Sequence, residues 1–288
     1  MQYKGEFCVK PGRSVDLQKI DPASTGGYPD KKAAEQKLER DIEKLRNLQD
    51  AFIAEGRFAL LLIFQGMDTA GKDGAISHVV SGINPQGVQV NSFKEPSAEE
   101  LRHDYLWRCA KVMPERGRIG IFNRSYYEDV LVTHVHRNLL GTSLPASHAE
   151  QAKFWQHRYN DINAYERYLL RNGTHVLKFF LHISRDEQRQ RLLARLKDRT
   201  KQWKFSLSDV QQRSYWKQYR AAYEAMLSST STADAPWYAI PADHKWFTRV
   251  AVADILVGKL KSLRLNYPPL PTALKKQLRE LRAELERS

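Results

Sequence analysis

The segment Phe58–Gly74, FALLLIFQGMDTAGKDG, limits the possible folds more than any other stretch of the chain. An apolar run breaks into Gly66, Gly71 and Lys72 and continues as a helix-like segment. The G-x-x-x-x-G-K spacing lets backbone N–H groups curl around phosphate oxygens, while a helix N-terminus and the lysine add positive charge. Gly66 and Gly71 allow close backbone approach, Ala70, Asp73 and Gly74 complete the phosphate cradle, and Lys72 is placed to touch a transferred phosphoryl group. The bland alternative is a plain strand-to-helix turn. Asp73 stands where Ser or Thr ordinarily ligates Mg²⁺, and Asp68 lies inside the loop. This pair predicts a task other than ordinary ATP hydrolysis, with Asp68 acting through Mg²⁺, directly or through water, or orienting an acceptor phosphate.

Around this loop, strand and helix patterns alternate. Residues 1–30 carry Pro11, Gly12, Pro22, Gly26, Gly27 and Pro29 and read as an irregular arm. From Lys31 to Glu55, Leu38, Ile42, Leu45, Gln49 and Phe52 trace one helical stripe that ends at Gly56. Strands are expected at Gly87–Phe93, Arg118–Asn123, Thr174–Ile183 and Trp237–Ile240. Ser97 with Glu100 reads as a capping box opening a helix to Met113, Ser184 with Glu187 opens a basic helix, and Ser208 with Gln211 opens a helix to Leu227. Further helices are expected from Tyr126, from His148 to Arg171 after a loop holding Gly141 and Pro145, and from Lys245 to Leu263. Strands separated by helices of this length imply βαβ units and a mostly parallel sheet. The expected division is an arm (1–30), one α/β domain (31–271) with a lid at about 185–206, and a helical tail (272–288).

Lys and Arg outnumber Asp and Glu by 46 to 33, so the net charge of +13 calls for an anionic partner: nucleic acid, acidic membrane or a phosphate-rich substrate. The longest apolar run, Phe58–Phe64, is too short to span a bilayer, and the first residues lack the apolar stretch of a signal peptide. Cys8 and Cys109 form no ligand or disulfide framework. A soluble, cytoplasmic protein with no membrane partner is the expectation.

Two more constellations bear on chemistry. Ile119–Asp129, IGIFNRSYYED, places polar residues at the carboxyl end of a buried strand, where ligands bind in open α/β sheets. Asn123 occupies the place of a Walker B aspartate, Arg124 supplies a planar cation, and Glu128 and Asp129 follow. In the basic run Arg185–Lys204, Arg191, Arg195 and Arg199 lie at i, i+4 and i+8, a like-charged stripe that costs stability unless an anion neutralises it. A phosphate-closing lid fits, with Lys204 at its end, although acids elsewhere in the fold could also meet this stripe. His134 and His136 read as surface or packing residues rather than metal ligands, and Trp155, Tyr159 and Tyr165 as core. Leu274, Leu278, Leu281 and Leu285 form a seam that either docks or pairs with a second subunit.

Taken together, these motifs resemble the polyphosphate kinase 2 family from about Lys31 to Tyr267. Gly66–Gly74 resembles its phosphate loop, in which Asp follows the lysine. Phe122–Asp129 resembles its second motif, and Trp203-Lys204-Phe205 the end of its lid. The resemblance implies a P-loop kinase fold, a parallel β-sheet sandwiched by helices with a helical lid. It also implies Mg²⁺-dependent phosphoryl transfer (Mn²⁺ as an alternative ion) between inorganic polyphosphate and AMP, ADP or ATP; a homo-oligomer is the expected assembly. Asp68, Lys72, Arg124 and Arg195 fall on catalytic positions, and Asn123 on the Walker B position. Asn123, Arg124 and Glu128 are the implied nucleotide-binding residues, and Glu128 resembles the subgroup that accepts both AMP and ADP. A long donor with about one charge per unit then accounts for the basic balance without nucleic acid. The rival readings are an ATP-dependent nucleotide or nucleoside kinase on the same fold and, more remotely, a basic nucleic-acid-binding protein with a degenerate phosphate loop.

Overall fold

The computed structural model describes residues 5–142 and 153–287. Five parallel strands form one sheet in the order β2-β3-β1-β4-β5: β1 (Ala59–Gln65), β2 (Val88–Ser92), β3 (Ile119–Asn123), β4 (Thr174–His182) and β5 (Trp237–Pro241). Every residue of β1 is buried, as a central strand covered on both faces requires. Phe64 stands level with Asn123 of β3 and Phe179 of β4, so the polar residues that follow these strands emerge along one edge.

Helices cover both faces. On one lie α1 (Lys31–Glu55), α2 (Lys72–Val80) and α9 (Lys245–Ser262); the short turn α3 (Trp107–Ala110), α4 (Glu128–Val135) and α5 (Phe154–Arg171) cover the other. The predicted stripe of α1 is largely buried. Its one amide, Gln49, stays satisfied by donating to the Asn84 carbonyl at 2.9 Å and accepting from the Asn84 N–H at 2.7 Å. The basic helix α6 (Arg185–Lys197) is capped by Ser184 as expected, and leads to α7 (Leu207–Ser214) and α8 (Trp216–Thr230). Pro145 and the expected helix start at His148 lie outside the described residues.

The arm is irregular yet tied in. Cys8 bridges Tyr238 in antiparallel fashion, with the Val9 N–H donating to the Trp237 carbonyl and the Ala239 N–H to that of Phe7, each at 2.9 Å. This pairing covers the outer edge of β5. At the other end, α10 (Thr272–Leu285) leaves its four seam leucines 38–75% exposed.

Two helix expectations need correction. The Ser97–Glu100 box forms in both directions, at 2.8 and 3.2 Å, but opens only a 3₁₀ turn, because Asp104 starts afresh by accepting from the Leu106 N–H at 2.9 Å. The helix expected from Ser208 is capped instead by Ser206 and breaks at Tyr215, giving α7 and α8. No helix among the described residues is long and apolar enough to cross a membrane.

Candidate active site

The phosphate loop begins where β1 ends. A Cβ on Gly66 would stand 2.9 Å from the Leu181 carbonyl oxygen and 3.2 Å from the Ala70 Cβ, so only glycine passes here without displacing backbone. Gly71 caps α2 at φ 102° and supplies no side-chain acceptor, which leaves the first-turn N–H groups for an anion. Thr69, at φ 62°, adds a left-handed step of the kind that turns successive N–H groups inward.

Lys72 lies buried under this loop. Its Nζ donates to the Gly66 carbonyl at 2.6 Å and the Met67 carbonyl at 3.3 Å. Burial, and then the positive charge of Arg124, push its pKa down to about 8 against the opposing pull of Asp68, Glu128 and Asp73. An arriving phosphate supplies the negative charge that this lysine needs.

The turn after β3 carries the second motif. Asn123 Nδ2 donates to Asp73 Oδ1 at 2.7 Å, linking the two positions at which the sequence departs from the ordinary Walker pattern. Arg124 is left-handed, at φ 65°, and its N–H donates to the Phe64 carbonyl at 3.0 Å. This conformation aims its guanidinium at two acids: Nη2 donates to Asp68 Oδ1 at 2.7 Å and Nη1 to Glu128 Oε2 at 3.0 Å. The nearby Glu128 charge raises the Arg124 pKa further, so this cation is permanent.

Asp68, Arg124 and Glu128 thus link the phosphate loop to α4, and all three line a cleft of about 430 Å³ including its open mouth. The apolar part of the lining was missed by the sequence reading. It includes Leu131 and Val132 from α4 with Trp216, Tyr219 and Tyr223 from α8. The i, i+3, i+7 spacing of these three aromatics was the available signal. Gln212 also lines the cleft, and its Oε1 accepts from the Tyr219 hydroxyl at 2.7 Å and lies 2.7 Å from His136 Nε2. His136 therefore packs and orients, as does His134, which stacks on Trp155 at 4.5 Å.

The basic run divides by position. Arg191, expected in the phosphate-binding set, spends its donors on the protein. Nη1 donates to the carbonyls of Thr69 and Ala70 at 3.0 and 3.1 Å, Nη2 to those of Ala242 and Asp243 at 2.6 and 2.9 Å, and Nε to Glu187 at 2.7 Å. It is a buckle that fastens the phosphate loop to the turn after β5. Gln188 assists by donating to the Asp68 carbonyl at 3.1 Å. Arg195 pairs with Asp209 of α7 at 3.2 Å, and Arg199 is exposed and outside the cleft lining. Internal acids and carbonyls thus relieve the like-charged stripe at Arg191 and Arg195 without an anion. The Lys204 side chain lies outside the described residues.

No group of three or more His, Cys, Asp or Glu side chains among the described residues forms a ready metal cage. Asp68 and Asp73 nonetheless offer hard oxygen ligands beside the loop. That set suits Mg²⁺, which retains waters and is completed by substrate phosphates, better than Zn²⁺.

Residues 28–267 match the model of the family "Polyphosphate kinase 2 (PPK2)". The chain belongs to the polyphosphate kinase 2 family. An ADP-polyphosphate phosphotransferase of Rhodopseudomonas palustris is 48% identical over 281 residues, covering 97% of each chain. An AMP/ADP-polyphosphate phosphotransferase of Meiothermus ruber is 44% identical over 272 residues, covering 94% of this chain and 98% of the relative. The crystal structure of polyphosphate kinase 2 from Arthrobacter aurescens TC1 superposes with a TM-score of 0.85 at 41% identity over 94% of both chains. The parallel sheet with flanking helices is therefore the family's P-loop kinase fold, as its sequence motifs imply.

Proposed function

We propose that the protein transfers the terminal phosphoryl group of inorganic polyphosphate to AMP and to ADP, reversibly. One observation carries this reading: Arg124 sits between Asp68 of the phosphate loop and Glu128 of α4, where a phosphate cradle meets an aromatic-walled cleft. The cradle suits the polyphosphate end, and the cleft suits a nucleoside whose phosphates point toward Arg124. The similarity to relatives named for polyphosphate and for ADP or AMP/ADP supports the same assignment of substrates.

In this mechanism an oxygen of the acceptor's terminal phosphate attacks the terminal phosphorus of the donor. A new P–O bond forms as the bond to the shortened polyphosphate breaks. The nucleophile is already ionised, so positioning and charge neutralisation dominate the chemistry and no strong base is needed. Lys72 and the loop N–H groups hold the transferred group, Arg124 bridges donor and acceptor, and Arg191 keeps the loop in shape. Arg195 leaves Asp209 for the phosphates as α6 and α7 close, with Arg199 adding charge at the rim. Asp68 and Asp73 would hold Mg²⁺, which would supply neutralisation of phosphate charge.

Glu128 tunes acceptor length. By holding Arg124 toward α4 it lets the single phosphate of AMP reach the cation as well as the longer tail of ADP. Glu128→Asn is expected to lower AMP use about tenfold more than ADP use, on the scale of one charge-assisted contact. Equal losses on both acceptors would remove this role. The donor is tested by competition: polyphosphate supports phosphorylation without ATP, whereas a requirement for ATP as donor would favour an ordinary nucleotide kinase on this fold.

A further inference from the structure

Behind the β3–α4 turn lies an ionic cluster that no step above uses. Lys178, in the middle of β4, is fully buried, and Glu166 of α5 nearly so. Lys178 Nζ donates to Glu166 Oε2 at 2.6 Å, to the Tyr127 hydroxyl at 2.9 Å and to the Thr230 carbonyl at 2.7 Å, which uses all three of its N–H groups. The second carboxylate oxygen, Glu166 Oε1, accepts from the hydroxyls of Tyr126 and Tyr127 at 2.9 and 2.8 Å. The cluster extends to Trp237, whose indole N–H donates to Thr230 Oγ1 at 2.9 Å.

Each partner belongs to a different support of the cleft. Tyr126 and Tyr127 lie between Arg124 and Glu128, the pair that faces the substrates. Thr230 is the last residue of α8, the helix that carries Trp216, Tyr219 and Tyr223. One ammonium group therefore ties the charged wall and the aromatic wall to the same point of the sheet.

Stability alone does not account for such a cluster, because apolar residues of similar volume commonly replace a buried ion pair at equal or better stability. The turn that it backs carries a cost, since Arg124 is a non-glycine residue at φ 65° and has to be held there by its surroundings. Besides the Phe64 carbonyl, Gln65 supports it from the β1 side by donating to Ser125 Oγ at 3.3 Å, and the hydroxyls of Tyr126 and Tyr127 fix it by donating to Glu166 of α5, with Lys178 of β4 donating to that of Tyr127.

We propose that Lys178 and Glu166 are positioning residues for phosphoryl transfer, setting the distance between the Arg124–Glu128 wall and the α8 wall so that the acceptor phosphate lies in line with the donor. The inference rests on the proposed acceptor role of the cleft. It predicts that the pair governs acceptor turnover and leaves donor binding on the phosphate loop alone.

The test is the charge-free double variant Lys178→Met with Glu166→Gln, which keeps a hydrogen-bond acceptor for the two tyrosines, alongside Tyr127→Phe, which removes one hydroxyl and keeps the ion pair. The double variant is expected to keep a Tm near the parent and the parent KM for polyphosphate, while kcat for AMP and ADP falls at least about tenfold, since sub-ångström misplacement of reacting groups costs this much. Its amides at Arg124–Glu128 exchange with solvent at least tenfold faster, and those of α1 and α9 do not change. Tyr127→Phe reproduces a smaller part of the kcat loss and decides the matter if the double variant does not fold. Parent-like kcat in a folded variant overturns the proposal. So does unchanged exchange at Arg124–Glu128, which is read whether or not the parent transfers phosphate, whereas a parent inactive with polyphosphate overturns the functional reading instead.

Discussion

Lys72 and Lys178 are both buried lysines within one α/β layer, and they do opposite things. Lys72 bonds only to two backbone carbonyls of the phosphate loop, with no carboxylate in direct contact, and burial brings its pKa down to about 8. Lys178 is saturated by a carboxylate, a phenol and a carbonyl in an apolar surround. The first is poised for an anion that arrives from outside. The second has already found its anion and serves as a rivet. The job of a buried lysine is thus set by what its three N–H groups meet.

Four results sharpen or break this contrast. Lys72→Met is expected to lower kcat by at least about 10²–10³-fold while Tm holds or rises, because it removes a desolvated charge and a transition-state contact together. A fall in Tm as large as that of Lys178→Met would dissolve the distinction. Lys178→Met alone strands the Glu166 carboxylate and should cost about 3–5 kcal/mol of unfolding free energy by urea titration, the range for breaking one half of a buried pair. Arg191→Met removes the loop's buckle. It should cost about 1.5–3 kcal/mol and raise the polyphosphate KM more than the nucleotide KM, as befits lost bonds from a charged donor.

The smallest effect is a pair of opposite pH slopes. Above about pH 8 the folded protein releases the Lys72 proton, so polyphosphate affinity of the free enzyme falls as pH rises. Between about 8 and the ordinary lysine value of 10.5 the unfolded chain still holds that proton, so the Lys72 contribution makes stability rise across the same window. Both slopes should vanish in Lys72→Met, and kcat/KM against pH together with melting against pH would show it.

The same contrast explains what the sequence could reveal. Lys72 was legible because its neighbours in space are its neighbours in sequence, within the spacing of one loop. Lys178 was not, since THVLKFFLHI reads as a buried strand with one stray charge and its partners lie 12, 51 and 52 residues away. The internal partners of Arg191 were hidden for the same reason: its helical spacing is local, but the carbonyls of Ala242 and Asp243 that accept from it are 51 and 52 residues distant. The Asp68–Arg124–Glu128 chain was legible as three separate motif residues, whereas its closure depends on the left-handed turn at Arg124. The aromatic wall had a local signal in the spacing of Trp216, Tyr219 and Tyr223, but its place in the cleft follows from the break at Tyr215 that starts α8 at Trp216.

The most direct measurement is a time course with AMP as the sole starting nucleotide, inorganic polyphosphate as the sole phosphoryl donor and Mg²⁺ present, following AMP, ADP and ATP together. The account predicts that AMP declines as ADP and then ATP accumulate, at the expense of polyphosphate length and at least about 10²-fold more slowly in Lys72→Met. No nucleotide above background from either AMP or ADP would contradict it.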